Sequence, residues 1–117
     1  MAQDQEQYVV RAGLARPDSL VAGTRPHRDV PGLTGFSVQS VPGLSVEQLA
    51  RAARFPHGWV SVTTLHTLRW NGFDLVFPTP GQGVYHASVL APYPLSSEHA
   101  LLLSSLFARR RNPYQSK

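Results

Sequence analysis

Trp59-Val60-Ser61-Val62-Thr63-Thr64 is the stretch on which the fold turns. Its β-branched and aromatic residues suit a pleated, half-buried surface. Strand side chains alternate between faces, so Ser61 and Thr63 are expected to project together. Upstream, Ser45 to Arg54 reads as a helix: Ser45 can cap it, and Gln48 completes a capping box. Val46, Leu49 and Ala53 share one helical face, and Arg51 and Arg54 fall where cations suit the helix dipole. Pro42-Gly43 turns the chain before this helix, and Pro56 and Gly58 end it.

Further upstream, Gly35 to Ser40 alternates as a strand, and Ala22 to Thr34 is a long Gly-, Pro- and charge-rich loop. Asp18 or Ser19 could cap a single turn in Arg16 to Val21, a segment short for a helix. Tyr8 to Ala12 reads as the first strand. Downstream, Leu65 to Trp70 is a short helix or a continuation of the strand. Asn71-Gly72 is a favoured hairpin turn joining Leu68–Trp70 to Phe73–Phe77. Val84 to Leu90 is another strand, stopped by Pro92 and Pro94. Ser96 or Ser97 caps a final helix, Glu98 to Arg109, with Leu102, Leu106 and neighbouring Leu101, Leu103 and Phe107 inward. Strands bunch together and helices sit between or after them. The expectation is an α+β domain with a mostly antiparallel sheet and two main helices.

Length and composition bound the function. One domain is expected over residues 8–111, between a disordered start at 1–7 and a disordered basic tail at 112–117. Charged residues make up 15%, against a usual ~25%, so part of the surface is expected to be covered by a partner. With no cysteine there is no disulfide framework or thiolate zinc site, which suits the cytoplasm. The polar N-terminus lacks the features of a signal peptide, leaving export by a machine that reads none. No stretch is apolar enough to span a membrane. The net charge of +4 comes entirely from Arg109, Arg110, Arg111 and Lys117. The tail is the place where a nucleic acid or an acidic partner would be met, although such runs commonly only solubilise a terminus.

Several chemistries leave no trace. There is no glycine-rich phosphate loop, no carboxylate pair, no nucleophile elbow, and no helical histidine pair for a metal among His27, His57, His66, His86 and His99. Val9-Val10-Arg11-Ala12-Gly13 and Trp59-Val60-Ser61-Val62-Thr63-Thr64 together resemble the mono-ADP-ribosyltransferase superfamily, closest to short bacterial toxins. Gly35 to Ser40 is a second place for the hydroxyl-bearing strand. The resemblance implies an ADP-ribosyltransferase-like fold using NAD. Arg11 would bind its pyrophosphate, Ser61 and Thr63 would line the nicotinamide pocket, and Ser61 and His86 would be the catalytic candidates. The loop Ala22 to Thr34 would flank the cleft. The family places a Glu on a late strand; Tyr85 to Val89 has none, and Gln82 and His86 are the nearest polar residues. Each residue also has an ordinary structural role open to it: a strand-end arginine, β-prone hydroxyls, a half-buried histidine, and core or rim tryptophans at Trp59 and Trp70.

Two functions follow from different classes. One is a toxin domain that transfers ADP-ribose or cleaves NAD, partnered by a cognate antitoxin or immunity protein. The other is a non-enzymatic binding module, such as an antitoxin, inhibitor or adaptor, holding a protein or nucleic acid. A ribonuclease-type toxin is a third option, weakened by the neutral body of the chain.

Overall fold

The stretch Trp59–Thr64 is an interior strand of an antiparallel sheet in the computed structural model, which describes residues 7–26, 32–53, 58–76, 86–92 and 95–112. In chain order the elements are β1 (Tyr8–Ala12), α1 (Pro17–Gly23), β2 (Arg25–Pro26), β3 (Leu33–Gln39), α2 (Val46–Ala53), β4 (Trp59–Thr64), α3 (Leu65–Trp70), β5 (Asp74–Val76), β6 (His86–Pro92), α4 (Ser97–Leu106) and β7 (Ala108–Arg111). The sheet runs β5-β6-β3-β1-β4-β7, with β2 added beside β3. Every pairing among the described residues is antiparallel. The architecture is α+β.

Alternation along the strands builds two cores. The front face carries Val9, Phe36, Val38, Leu75, Ala87 and Val89 beneath Leu20 of α1, Leu65 and Leu68 of α3, and Ala100 and Leu103 of α4. The back face carries Val10, Val60 and Val62 beneath Val46, Leu49 and Ala50 of α2. The α2 capping box forms as expected: Ser45 Oγ accepts from Gln48 N–H, and Gln48 Oε1 accepts from Ser45 N–H, at 3.1 and 2.8 Å. Ser96 caps α4 by accepting from His99 N–H at 3.1 Å.

Several expectations need correction. Asn71-Gly72 makes no hairpin. Phe73 N–H bonds Leu68 C=O at 2.9 Å and Gly72 N–H bonds Arg69 C=O at 3.1 Å, the paired bonds that close a helix on a left-handed residue. Gly72 supplies φ +88°, and buried Phe73 and Leu68 both join the front core. The backbone demand, a residue at positive φ, is one that a hairpin turn and a helix end share. Arg16 to Val21 does contain a helix, α1, started by Pro17 in its first turn. The strand expected from Gly35 begins at Leu33, and Arg25–Pro26, inside the expected loop, pairs with it. Strand β6 runs on to Pro92, while Val84 and Tyr85 lie outside the described residues, as do Arg54 and most of the N-terminal segment.

The largest correction is at the C-terminal end. Helix α4 stops at Leu106, not Arg109, because Phe107 turns extended (φ −94°, ψ 126°) and buries its ring against Phe36, centroids 6.3 Å apart. Leu101 and Leu102, expected inward, face outward, whereas Leu103, Phe107 and partly buried Leu106 lie inward as expected, together with Ala100. The chain then runs along β4 as β7, pairing Arg109 with Ser61, Arg110 with Val60 and Arg111 with Trp59. Asn112, expected to open the tail, is buried, and its N–H bonds Gly58 C=O at 2.9 Å. Residues 113–117 lie outside the described residues.

Candidate anion-binding edge

The residues singled out for NAD fall into two places. Register sets Arg11 of β1 opposite Ser61 of β4 and Val9 opposite Thr63, so Arg11, Ser61 and Thr63 share the front face. His86 pairs with Gln39, which in turn pairs with Val10 of the back core, so His86 stands on the opposite face. The structure therefore brings three of the four candidates together and separates the fourth.

Each of the three has a structural task. Ser61 is fully buried; its Oγ donates to Gly13 C=O and accepts from Ala15 N–H, both at 2.8 Å. Ser104 of α4 donates to Ala15 C=O at 2.6 Å, so the turn after β1 is tied to the sheet and to a helix at once. Strands β1 and β3 share only the Val10–Gln39 pair, and beyond it Arg11 Nη1 donates to Ser37 C=O at 2.7 Å. The Arg11 guanidinium carbon also lies 5.2 Å from the centroid of the Phe36 ring. Its other end packs on Gly23 at the C-terminus of α1, where a Cβ would come within 2.7 Å of Nη2. A helix C-terminus favours a cation, and burial pushes the Arg11 pKa down without approaching deprotonation. Thr63 is buried, and its Oγ1 has no hydrogen-bond partner among the described residues. His86 Nδ1 is likewise buried without one, and desolvation lowers the His86 pKa below its ordinary value.

The arginines of β7 are in the contrary situation. Arg109, Arg110 and Arg111 are all exposed on the last strand of the sheet, and no carboxylate among the described residues pairs with them. Arg109 and Arg111 alternate onto the front face with Trp59; the Trp59 ring is 45% exposed and lies 5.4 Å from the Arg111 guanidinium carbon. Arg110 points to the back face, beside an open cleft of about 340 Å³ shared with Tyr8, Ser45, Val46 and Glu47. Sequence reading missed this edge because Arg109 looked like the end of an apolar helix. Leu103 and Phe107 stand four positions apart, a spacing that continues a helical face, so the local pattern did not mark the turn at Phe107. A second shallow cleft, about 290 Å³, lies over His66, Thr67, Trp70 and Asn71 of α3, with the His66 and Trp70 rings stacked 6.1 Å apart.

Among the described residues no group of His, Asp and Glu could hold a metal ion, and no helix is long and apolar enough to cross a membrane. No family model, no curated protein and no solved structure matches this chain.

Proposed function

We propose that the chain is a non-enzymatic binding module that holds an anionic macromolecule along β7. The observation that carries this reading is the cationic strand itself: Arg109, Arg110 and Arg111, exposed, without a carboxylate partner among the described residues, beside a half-exposed Trp59. Cations displayed this way attract polyanions, and they also protect a sheet edge from pairing with other chains. Apart from these three arginines and Lys117, the chain balances seven arginines against seven Asp and Glu, so the field is local. Absence of cysteine suits work in the reducing cytoplasm. Retention on immobilised heparin tests the reading. Wild type should elute at clearly higher salt than a variant carrying Arg109→Gln, Arg110→Gln and Arg111→Gln, and equal elution would refute it.

A second reading is favoured by the Arg11–Ser61 register. In it the chain is an ADP-ribosyltransferase-like or NAD-cleaving toxin domain with NAD as substrate and a cognate antitoxin or immunity protein as partner. Arg11 would have to release Ser37 C=O to take a phosphate, and His86 would act from a different face. Nicotinamide release from NAD by the purified chain, lost in Arg11→Ala, is the supporting result.

A further inference from the structure

Arg109 and Arg111 stand two positions apart on one side of β7. A strand rises about 3.3 Å per residue, so their Cα atoms are about 7 Å apart. That is close to the spacing of successive phosphates along an extended single nucleic-acid strand. Trp59 lies directly opposite Arg111 on the same face, its ring half open to solvent. The pairing of cations that follow a phosphate chain with an aromatic ring that accepts a base is the physical basis of single-strand binding.

Resting on the polyanion reading above, we infer that the front side of the β7 edge binds single-stranded nucleic acid. Arg109 and Arg111 take successive phosphates, and Trp59 stacks on one base. A duplex keeps its bases stacked inside, so it offers the arginines its phosphates but offers the indole nothing. An acidic segment added to β7 as a further strand would meet Arg109, Arg110 and Arg111 alike. The two faces are not alike: the front has two arginines and an exposed indole, whereas Arg110 on the back shares its cleft with Glu47. The flat guanidinium of Arg111, already over the Trp59 ring, extends the stacking surface. It can move aside for a base while keeping its charge on a phosphate.

The test uses the full chain with Trp70→Phe, so that tryptophan fluorescence, excited selectively over the tyrosines, reports Trp59 alone; Trp70 is 81% exposed and its replacement leaves the core untouched. The probes are a short oligothymidylate, a duplex of the same length, and poly-glutamate. Oligothymidylate is expected to quench Trp59 and to bind more tightly than the duplex. Dye-labelled oligothymidylate followed by anisotropy should lose affinity about 5- to 150-fold on Trp59→Ala, and less on Trp59→Phe. Replacing Arg109 and Arg111 together by Gln should reduce the magnitude of the slope of log affinity against log salt by about 1.4. Circular dichroism confirms that each variant is folded. Duplex binding as tight as single-strand binding, or affinity unchanged by Trp59→Ala, overturns the single-strand assignment while heparin retention keeps the polyanion reading. Binding of poly-glutamate without oligothymidylate overturns it in favour of an acidic protein. Binding of no probe, together with heparin retention unchanged in the triple arginine variant, removes both.

Discussion

On the front face Arg11, Ser61 and Arg109 stand in one row across β1, β4 and β7, yet the two ends of that row are in opposite situations. Arg11 and Ser61 are the residues a reader of the sequence would assign to chemistry, and Arg11 Nη1 and the Ser61 hydroxyl are already bonded to Ser37, Gly13 and Ala15 of the same chain. Arg109 and Arg111 would be set aside as a solubilising tail, and their donors are open to solvent. A buried polar group is costly unless it is bonded, so the buried Ser61 and the half-buried Arg11 are held by internal partners. An edge strand has solvent on one side, so its cations remain available. Chemical promise in a residue type is therefore a poor guide until burial is known.

The largest expected effect tests the bonded end of the row. Ser61→Ala leaves Gly13 C=O and Ala15 N–H without their buried partner and should lower stability by about 2–4 kcal/mol in urea denaturation. A loss under about 0.5 kcal/mol, the range of ordinary surface changes, would break the comparison by showing the hydroxyl free for other work. Arg11→Met should cost about 1–1.5 kcal/mol, below the full range for a charged hydrogen bond because the bond to Ser37 C=O lies toward solvent. Arg11→Lys should recover only part, because a point charge cannot lie flat on Phe36 as a guanidinium does.

Thr63→Val sharpens the contrast from within the core. Its hydroxyl is buried without a partner among the described residues, so the isosteric change should raise stability by up to about 1 kcal/mol in the same titration. A pocket-lining hydroxyl would instead show its loss in ligand binding, with stability unchanged.

His86 gives a pH test on the opposite face. Desolvation lowers its folded-state pKa, so the unfolded chain binds the proton more readily. The contribution to stability is present above the ordinary histidine pKa and is lost as pH falls from there toward the lowered value. Melting temperature measured across that acid range should fall more steeply for wild type than for His86→Gln. Equal slopes would show that His86 titrates normally.

The smallest effect belongs to the open end. Arg109→Gln with Arg111→Gln should cost no more than about 0.5 kcal/mol, because both side chains are exposed, pair with no carboxylate among the described residues, and an exposed cation–π contact such as Arg111–Trp59 adds little. A larger loss would mean that these arginines hold the sheet edge together, and the contrast with Arg11 would collapse.

Local signals settled much of this molecule before any tertiary contact was considered. The β-branched run at Trp59–Thr64 and the Ser45–Gln48 capping box each act within a few residues, so sequence alone determined β4 and the start of α2, and it narrowed the cap of α4 to Ser96 or Ser97, of which the structure uses Ser96. It also determined the absence of disulfides and the location of the net charge. Asn71-Gly72 was legible only as a place of positive φ; whether a hairpin or a helix end used it depended on Phe73 reaching the front core beside Leu68. The roles of Arg11 and Ser61 depended on partners 26 and 48 residues away. The change of Ala108–Arg111 from helix end to edge strand depended on Phe107 finding Phe36 across the front core. Spacing along a chain reports periodicity and caps, whereas burial and long-range bonding exist only once the layers have packed. For that reason the sequence could name the polar residues, and only the tertiary structure decided which of them are still free to bind.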